Sequence, residues 1–159
     1  MSPPRIAVEF VCLGNICRSP LAEGLFRHHV AQAGLSDRFV IASAGTGGWH
    51  VGDPPDTRSI AVARRHGVDI GAQRGRQLTP AHLDMYDEIL AMDTANMATI
   101  RRHERSGQRA RVGLLLDELP GFALREVPDP YTGSADDFEA VYQMVDRACA
   151  ALLGRLTRG

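Results

Sequence analysis

The apolar residues of the chain fall into two rhythms that alternate along its length. From Arg5 to Val11 nearly every residue is apolar and β-prone, and the run ends at Cys12, which predicts a strand buried within a parallel sheet. From Pro20 the spacing becomes helical. Leu21, Ala22, Leu25, Phe26 and Val30 return on one face, with Ser19 as N-cap, Pro20 as first helical residue and Gly34 as the stop. Phe39 to Ala42 predicts a second strand, Thr57 to His66 a helix ended by Gly67, Glu88 to Met92 a third strand and Val112 to Leu116 a fourth. Thr79-Pro80 opens a brief helical segment, and a helix capped by Asp93 or Thr94 runs to about Arg105. Ser134 and Asp137 give an S-x-x-D start to a long terminal helix, whose apolar face carries Phe138, Val141, Tyr142, Val145, Cys149, Leu152 and Leu156.

Strand and helix thus alternate four times without a repeat or a linker. The pattern predicts an α/β fold, one domain over residues 1–159: a three-layer sandwich of flavodoxin or Rossmann type, with helices on both faces of a four-stranded parallel sheet. In such sheets ligands bind at the carboxyl ends of the strands. Two irregular segments stand out, a glycine-rich loop from Ser43 to Trp49 and the stretch from Asp117 to Gly133, long enough to carry function.

Composition narrows the classes. Apolar and charged contents of 44% and 23% are those of a globular protein, and a net charge of -1 gives no reason to expect nucleic acid or an anionic membrane as partner. The apolar run from Ile6 to Val11 is too short for a signal peptide or a membrane helix. Three cysteines, an odd number, do not make a secreted disulfide framework, so a reducing, cytoplasmic setting is expected. No clustered His, Cys or carboxylate spacing suggests a metal site, and no cofactor is called for.

Candidate chemistry centres on Val11-Cys12-Leu13-Gly14-Asn15-Ile16-Cys17-Arg18-Ser19-Pro20, between the first strand and the first helix. Backbone N–H groups at a helix N-terminus, with the positive end of the helix dipole, make an anion site. The same field favours thiolate over thiol, and a thiolate beside a phosphate-shaped cradle is a nucleophile directed at phosphorus. The planar fork of Arg18 can hold two equatorial oxygens of a transferring phosphoryl group. Asn15 suits a left-handed conformation that turns N–H groups inward. Cys17 is open to two readings, a resolving thiol that protects Cys12 through a reversible disulfide or a small buried residue.

Expulsion of a phenolate from an aryl phosphate calls for a general acid, worth ~10²- to 10⁴-fold in rate. The only acidic residue before Cys12 is Glu9, inside the first strand, so the acid must lie downstream, among Asp53, Asp56, Asp93, Asp117, Glu118 and Asp129. Pro128 and Pro130 brace Asp129 in an extended segment and favour it, whereas Asp93 sits where a helix cap is wanted. Trp49 and Tyr131 are aromatic residues on loops flanking the site; they suit the walls of a slot for a phenyl group, with an ordinary core role for Trp49 as the alternative.

The string V-C-L-G-N-I-C-R-S-P, together with the later Asp129-Pro130-Tyr131, resembles the low-molecular-weight protein tyrosine phosphatase family. The resemblance implies a metal-independent phosphotyrosine hydrolase working through a cysteinyl phosphate, with tyrosine-phosphorylated proteins as substrates, as monomer or weak dimer. It implies Cys12 as nucleophile, Arg18 as phosphate ligand and Asp129 as general acid, in a phosphate loop completed by Leu13, Gly14, Asn15, Ile16, Cys17 and Ser19, whose hydroxyl donates to the thiolate. Ser43 and His66 would hold Asn15, Trp49 and Tyr131 would form the rim, and Cys17 would be the redox partner. Thr132 stands where many relatives carry a second tyrosine, and the segment 107–126 matches the family least. Three alternatives remain: an arginine phosphatase, disfavoured by Ile16 where a threonine is common; an arsenate reductase, which needs two further cysteines in a mobile segment; and a catalytically silent phosphopeptide-binding or thiol-redox module.

Overall fold

A computed structural model describes residues 4–158. The strands Ile6–Cys12 (β1), Phe39–Gly45 (β2), Glu88–Ala91 (β3) and Arg111–Leu114 (β4) form one parallel sheet in the order β2-β1-β3-β4. The helices are Arg18–Gln32 (α1), Thr57–Arg65 (α2), His82–Met85 (α3), Thr94–Arg101 (α4) and Ala135–Thr157 (α5), with short 3-10 turns at Ser36–Arg38 and Leu115–Glu118. None is long and apolar enough to cross a membrane, among the described residues.

The two-residue period of β1 sorts the core into two layers. Val8, Phe10 and Cys12 face a cluster built from α1, α2 and α5, in which Leu21, Leu25, Phe26, Val62, Phe138, Val145 and Leu152 are buried. Ala7 and Val11 face the second cluster, with Leu83 of α3 and Ile100 of α4. The helical faces expected for α1 and α5 are the ones that are buried. Glu9 shares the second face and is fully buried there, its carboxylate 3.0 Å from His82 Nδ1. That pairing turns the one upstream acid away from Cys12.

Most element bounds fall within a few residues of expectation, with two differences that bear on the site. α1 begins at Arg18 with Cys17 as its cap residue and no side-chain capping bond, so Ser19 is inside the helix and not its N-cap. Its hydroxyl is committed elsewhere, as described below. β2 continues to Gly45, taking in three residues expected to be loop, because the parallel register pairs Cys12 with Gly45. Thr46 N and Gly47 N then donate to the carbonyls of Cys12 and Leu13, which fastens the glycine-rich loop to the start of the cysteine loop.

Candidate active site

β1 delivers Cys12 to the carboxyl edge of the sheet, at the point where the strand order reverses around β1, and the chain then turns through residues 13–17 into α1. The turn depends on Asn15, the one non-glycine residue with positive φ (58°) among those described. Its backbone N–H points to Cys12 Sγ at 3.3 Å. The N–H groups of Gly14, Ile16 and Cys17 have no backbone or side-chain acceptor among the described residues, which leaves donors available to an anion.

A relay of hydrogen bonds fixes the sulfur. Asn15 Nδ2 donates to Ser19 Oγ (2.8 Å) and to Ser43 Oγ (2.9 Å), and Ser43 Oγ donates to Glu23 Oε1 at 2.6 Å. Arg76 N donates to Asn15 Oδ1 at 2.9 Å, which fixes the orientation of the amide. Ser19 Oγ also lies 3.0 Å from Cys12 Sγ, and because a thiolate can only accept, the hydroxyl donates to the sulfur once Cys12 is ionised. Cys12, Asn15, Ser19 and Ser43 are all buried, so these bonds form in a low-dielectric setting where each counts for more.

Arg18 is almost wholly buried, and its Nη1 donates to Asp93 Oδ2 at 2.7 Å and to the Val127 carbonyl at 2.9 Å. The rest of the guanidinium remains for the pocket, with Nη2 3.8 Å from Asp129 Oδ2. Asp93 does cap α4, in a capping box with Asn96, but its second carboxylate oxygen holds Arg18. Asp129 lies on the loop after β4, half exposed, with Oδ1 accepting from Tyr131 N at 3.1 Å.

Cys12, Arg18 and Asp129 line one cavity of about 230 Å³ together with Leu13, Gly14, Ile16, Cys17, Trp49, His50 and Tyr131. Burial sets its depth: Cys12 and Arg18 are each 3% exposed, whereas Trp49 and Tyr131 are 72% and 51% exposed at the mouth. Trp49 is therefore not a core residue. Cys17 is buried, and desolvation, reinforced by the charges of Asp56, Cys12 and Asp129, pushes its thiol up to about 12. Among the described residues no three His, Cys, Asp or Glu side chains converge as metal ligands would.

His66 is the expected site residue that lies elsewhere. At the end of α2 its Nε2 is 2.9 Å from Glu139 Oε2 and its ring stacks on Tyr142 of α5 at 4.2 Å. The support for Asn15 comes instead from Ser43, Glu23 and the Arg76 backbone. Glu23, whose other carboxylate oxygen pairs with Arg27 at 2.8 Å, was not foreseen. His50 beside Trp49 was likewise not foreseen.

The family model described as low molecular weight phosphotyrosine protein phosphatase matches residues 7–159. Low molecular weight protein-tyrosine-phosphatase YfkJ of Bacillus subtilis is 40% identical over 154 residues, which cover 96% of this chain and 97% of the relative. A protein tyrosine phosphatase from Entamoeba histolytica, crystallised with Hepes in its active site, superposes with a TM-score of 0.90 at 30% identity over 95% of this chain and 96% of its own. A Drosophila arginine phosphatase also shares the fold, with a TM-score of 0.88 at 28% identity over 95% of this chain and 98% of its own. With the match running from β1 through α5 at this level of identity, the chain belongs to the low molecular weight phosphotyrosine protein phosphatase family.

Proposed function

We propose that the protein hydrolyses phosphotyrosine in proteins through a cysteinyl phosphate, without a metal or other cofactor. Supporting this most is the convergence of Cys12, Arg18 and Asp129 on one cavity, with two donors already aimed at the sulfur. Cys12 Sγ attacks phosphorus in line with the phenolic oxygen. The free loop N–H groups and Arg18, oriented from behind by Asp93, hold the equatorial oxygens as charge develops on them. The P–O bond breaks as the carboxyl of Asp129 gives its proton to the departing phenolate oxygen. Water then attacks phosphorus, losing its proton to the Asp129 carboxylate, and the thiolate leaves with inorganic phosphate as product. Ser19 and the Asn15 N–H stabilise the thiolate at the start and at the end of the cycle.

Trp49 and Tyr131 at the mouth, with Ile16 along the wall, suit a flat phenyl ring. Ile16 also favours phosphotyrosine over phosphoarginine, since its apolar side chain offers no partner to a guanidinium. An arsenate reductase relay would need two further cysteines in a mobile segment, and the one cysteine beyond Cys17, Cys149, is fully buried in α5. As redox partner, Cys17 stays a thiol until peroxide has converted Cys12 to a sulfenic acid; its attack then forms the disulfide with loss of water. A reducing, cytoplasmic setting suits an enzyme whose nucleophile must stay a thiol.

The test is kcat/KM for a series of aryl phosphates, which reports every step through leaving-group departure. Asp129→Asn is expected to lose ~10²-fold or more with phenyl phosphate and progressively less as the leaving group becomes more acidic. Equal rates for the variant and the wild type across the series would remove Asp129 from the role of acid.

A further inference from the structure

The loop that carries Asp129 is tied to the body of the protein in an unusual way. Its flank is fixed at Val127, whose N–H donates to Met92 O and whose carbonyl accepts from Arg18. From Pro128 to Gly133, the bonds Tyr131 N to Asp129 Oδ1 and Gly133 N to Pro130 O are internal to the loop. Among the described residues, the only hydrogen bonds that reach this segment from outside come from Arg58 of α2. Arg58 Nη2 donates to the Tyr131 carbonyl at 2.8 Å, Nη1 makes a longer 3.5 Å contact with the Gly133 carbonyl, and the guanidinium lies 5.6 Å from the centre of the Tyr131 ring. Packing anchors this segment at Pro130, which is buried, whereas Pro128, Asp129 and Thr132 stand exposed around a cavity of about 280 Å³ that they line together with Ala140, Val141 and Met144 of α5.

The other end of this connection is the cysteine loop. Asp56, the N-cap of α2, donates its N–H to the Ile16 carbonyl at 2.8 Å, and Ser59 Oγ donates to the Cys17 carbonyl at 3.3 Å. The Asp56 carboxylate holds Arg58 in a two-pronged pair, Nε to Oδ1 and Nη2 to Oδ2, each at 3.0 Å. Phe138 lies under the guanidinium at 4.5 Å. A planar fork pinned on one edge by a carboxylate and on one face by a ring has little freedom to follow a moving loop.

We propose that Arg58 is a positioning residue for proton transfer: it sets the distance between the Asp129 carboxyl and the Cys12 loop by clamping the Tyr131 carbonyl to the same helix end that holds Ile16 and Cys17. The proposal rests on Asp129 being the general acid. Arg58 touches neither the reacting atoms nor the phosphate site, so its loss releases the acid while leaving the nucleophile and the cradle intact. Catalysis then falls only to the extent that the leaving group needs a proton.

The experiment compares Arg58→Met, which retains the apolar stem over Phe138, with Arg58→Lys, Asp129→Asn and the double variant Arg58→Met/Asp129→Asn. Readouts are kcat/KM for phenyl, 4-nitrophenyl and 2,4-dinitrophenyl phosphate and the inhibition constant of inorganic phosphate. Arg58→Met is expected to lose about tenfold with phenyl phosphate, against ~10²-fold or more for removal of the acid itself, and less than about twofold with dinitrophenyl phosphate. Phosphate inhibition is expected to be unchanged, Arg58→Lys to recover part of the loss, and Arg58→Met to add nothing in the Asp129→Asn background. A loss equal for all three substrates, a loss accompanied by weaker phosphate inhibition, or no loss at all overturns the proposal while leaving the acid assignment standing. If Asp129→Asn is itself insensitive to the leaving group, the acid assignment falls and the proposal falls with it.

Discussion

Asn15 holds three partners through one amide while its backbone sits in the left-handed region. Its suitability for that conformation was legible, since few residues other than glycine tolerate it. Of its partners, Ser43 followed from the family resemblance and Ser19 lies only four residues on, whereas the Arg76 N–H had no signal, because it comes from the segment before α3, far off in sequence. Asn15→Ala strands the Arg76 N–H and places alanine at positive φ. It is expected to lose about 1–3 kcal/mol for the buried unpaired groups, and Asn15→Gly to recover about 1 kcal/mol of that by relieving the backbone. Urea denaturation of the pair separates the two effects, and both variants should be slower than wild type because Ser19 is no longer oriented toward Cys12. Wild-type stability in Asn15→Ala would contradict the relay. Cys12 and Arg18 could be found from their spacing, whereas the second role of Asp93 could not, since a capping aspartate leaves no trace of what its other oxygen binds. His66 was assigned by its place in a string of letters, and geometry gave it to Glu139 and Tyr142 instead.

At the scale of elements, apolar spacing together with capping residues and prolines located the four strands and five α-helices, though not the short 3-10 turn at Ser36–Arg38, and errors gathered at ends where polar groups from other elements compete. Ser19 illustrates the rule: a serine next to a proline is the expected cap, but a sulfur and an amide claim its hydroxyl and the helix starts two residues earlier. The end of β2 is a second case. A Cβ at Gly45 would lie 2.8 Å from the Leu13 carbonyl oxygen and 3.1 Å from Asn15 N, so the cysteine loop rests directly on this strand end. Gly45→Ala is therefore expected to force the loop outward, with about 1–3 kcal/mol lost in stability. Phosphate inhibition should weaken together with kcat/KM, unlike the pattern expected for the acid loop, and unaltered phosphate inhibition would mean that the loop tolerates the displacement.

For the whole molecule, repeated alternation was enough to give a parallel sheet covered on both faces, and hence a site at its carboxyl edge. The ties between distant surfaces were beyond reach, among them the pairing of α2 with α5 through Glu139. Gln143, His66 and Arg65 together hold the Glu139 carboxyl down at about 2, from an ordinary value of 4.5. In that interval the unfolded chain binds the proton and the folded chain does not, so stability falls as the pH is lowered from about 4.5 toward 2. Asp56 and Asp87, held low chiefly by hydrogen bonds from Arg58 and Arg109, act in the same direction. Glu139→Gln is expected to reduce the drop in urea midpoint between about pH 6 and about pH 3; an unchanged drop would assign the acid sensitivity to other carboxylates.

The predictions about catalysis rest on a covalent bond between Cys12 and phosphorus. Rapid acid quenching during turnover of 4-nitrophenyl phosphate, followed by mass spectrometry of the proteolysed enzyme, tests that bond directly. One phosphoryl group is expected on the peptide containing Cys12 in the wild type and none in Cys12→Ser, which should be inactive yet still bind inorganic phosphate. A Cys12→Ser enzyme that still turns over, or a phosphoryl group found on any other residue, would contradict the account.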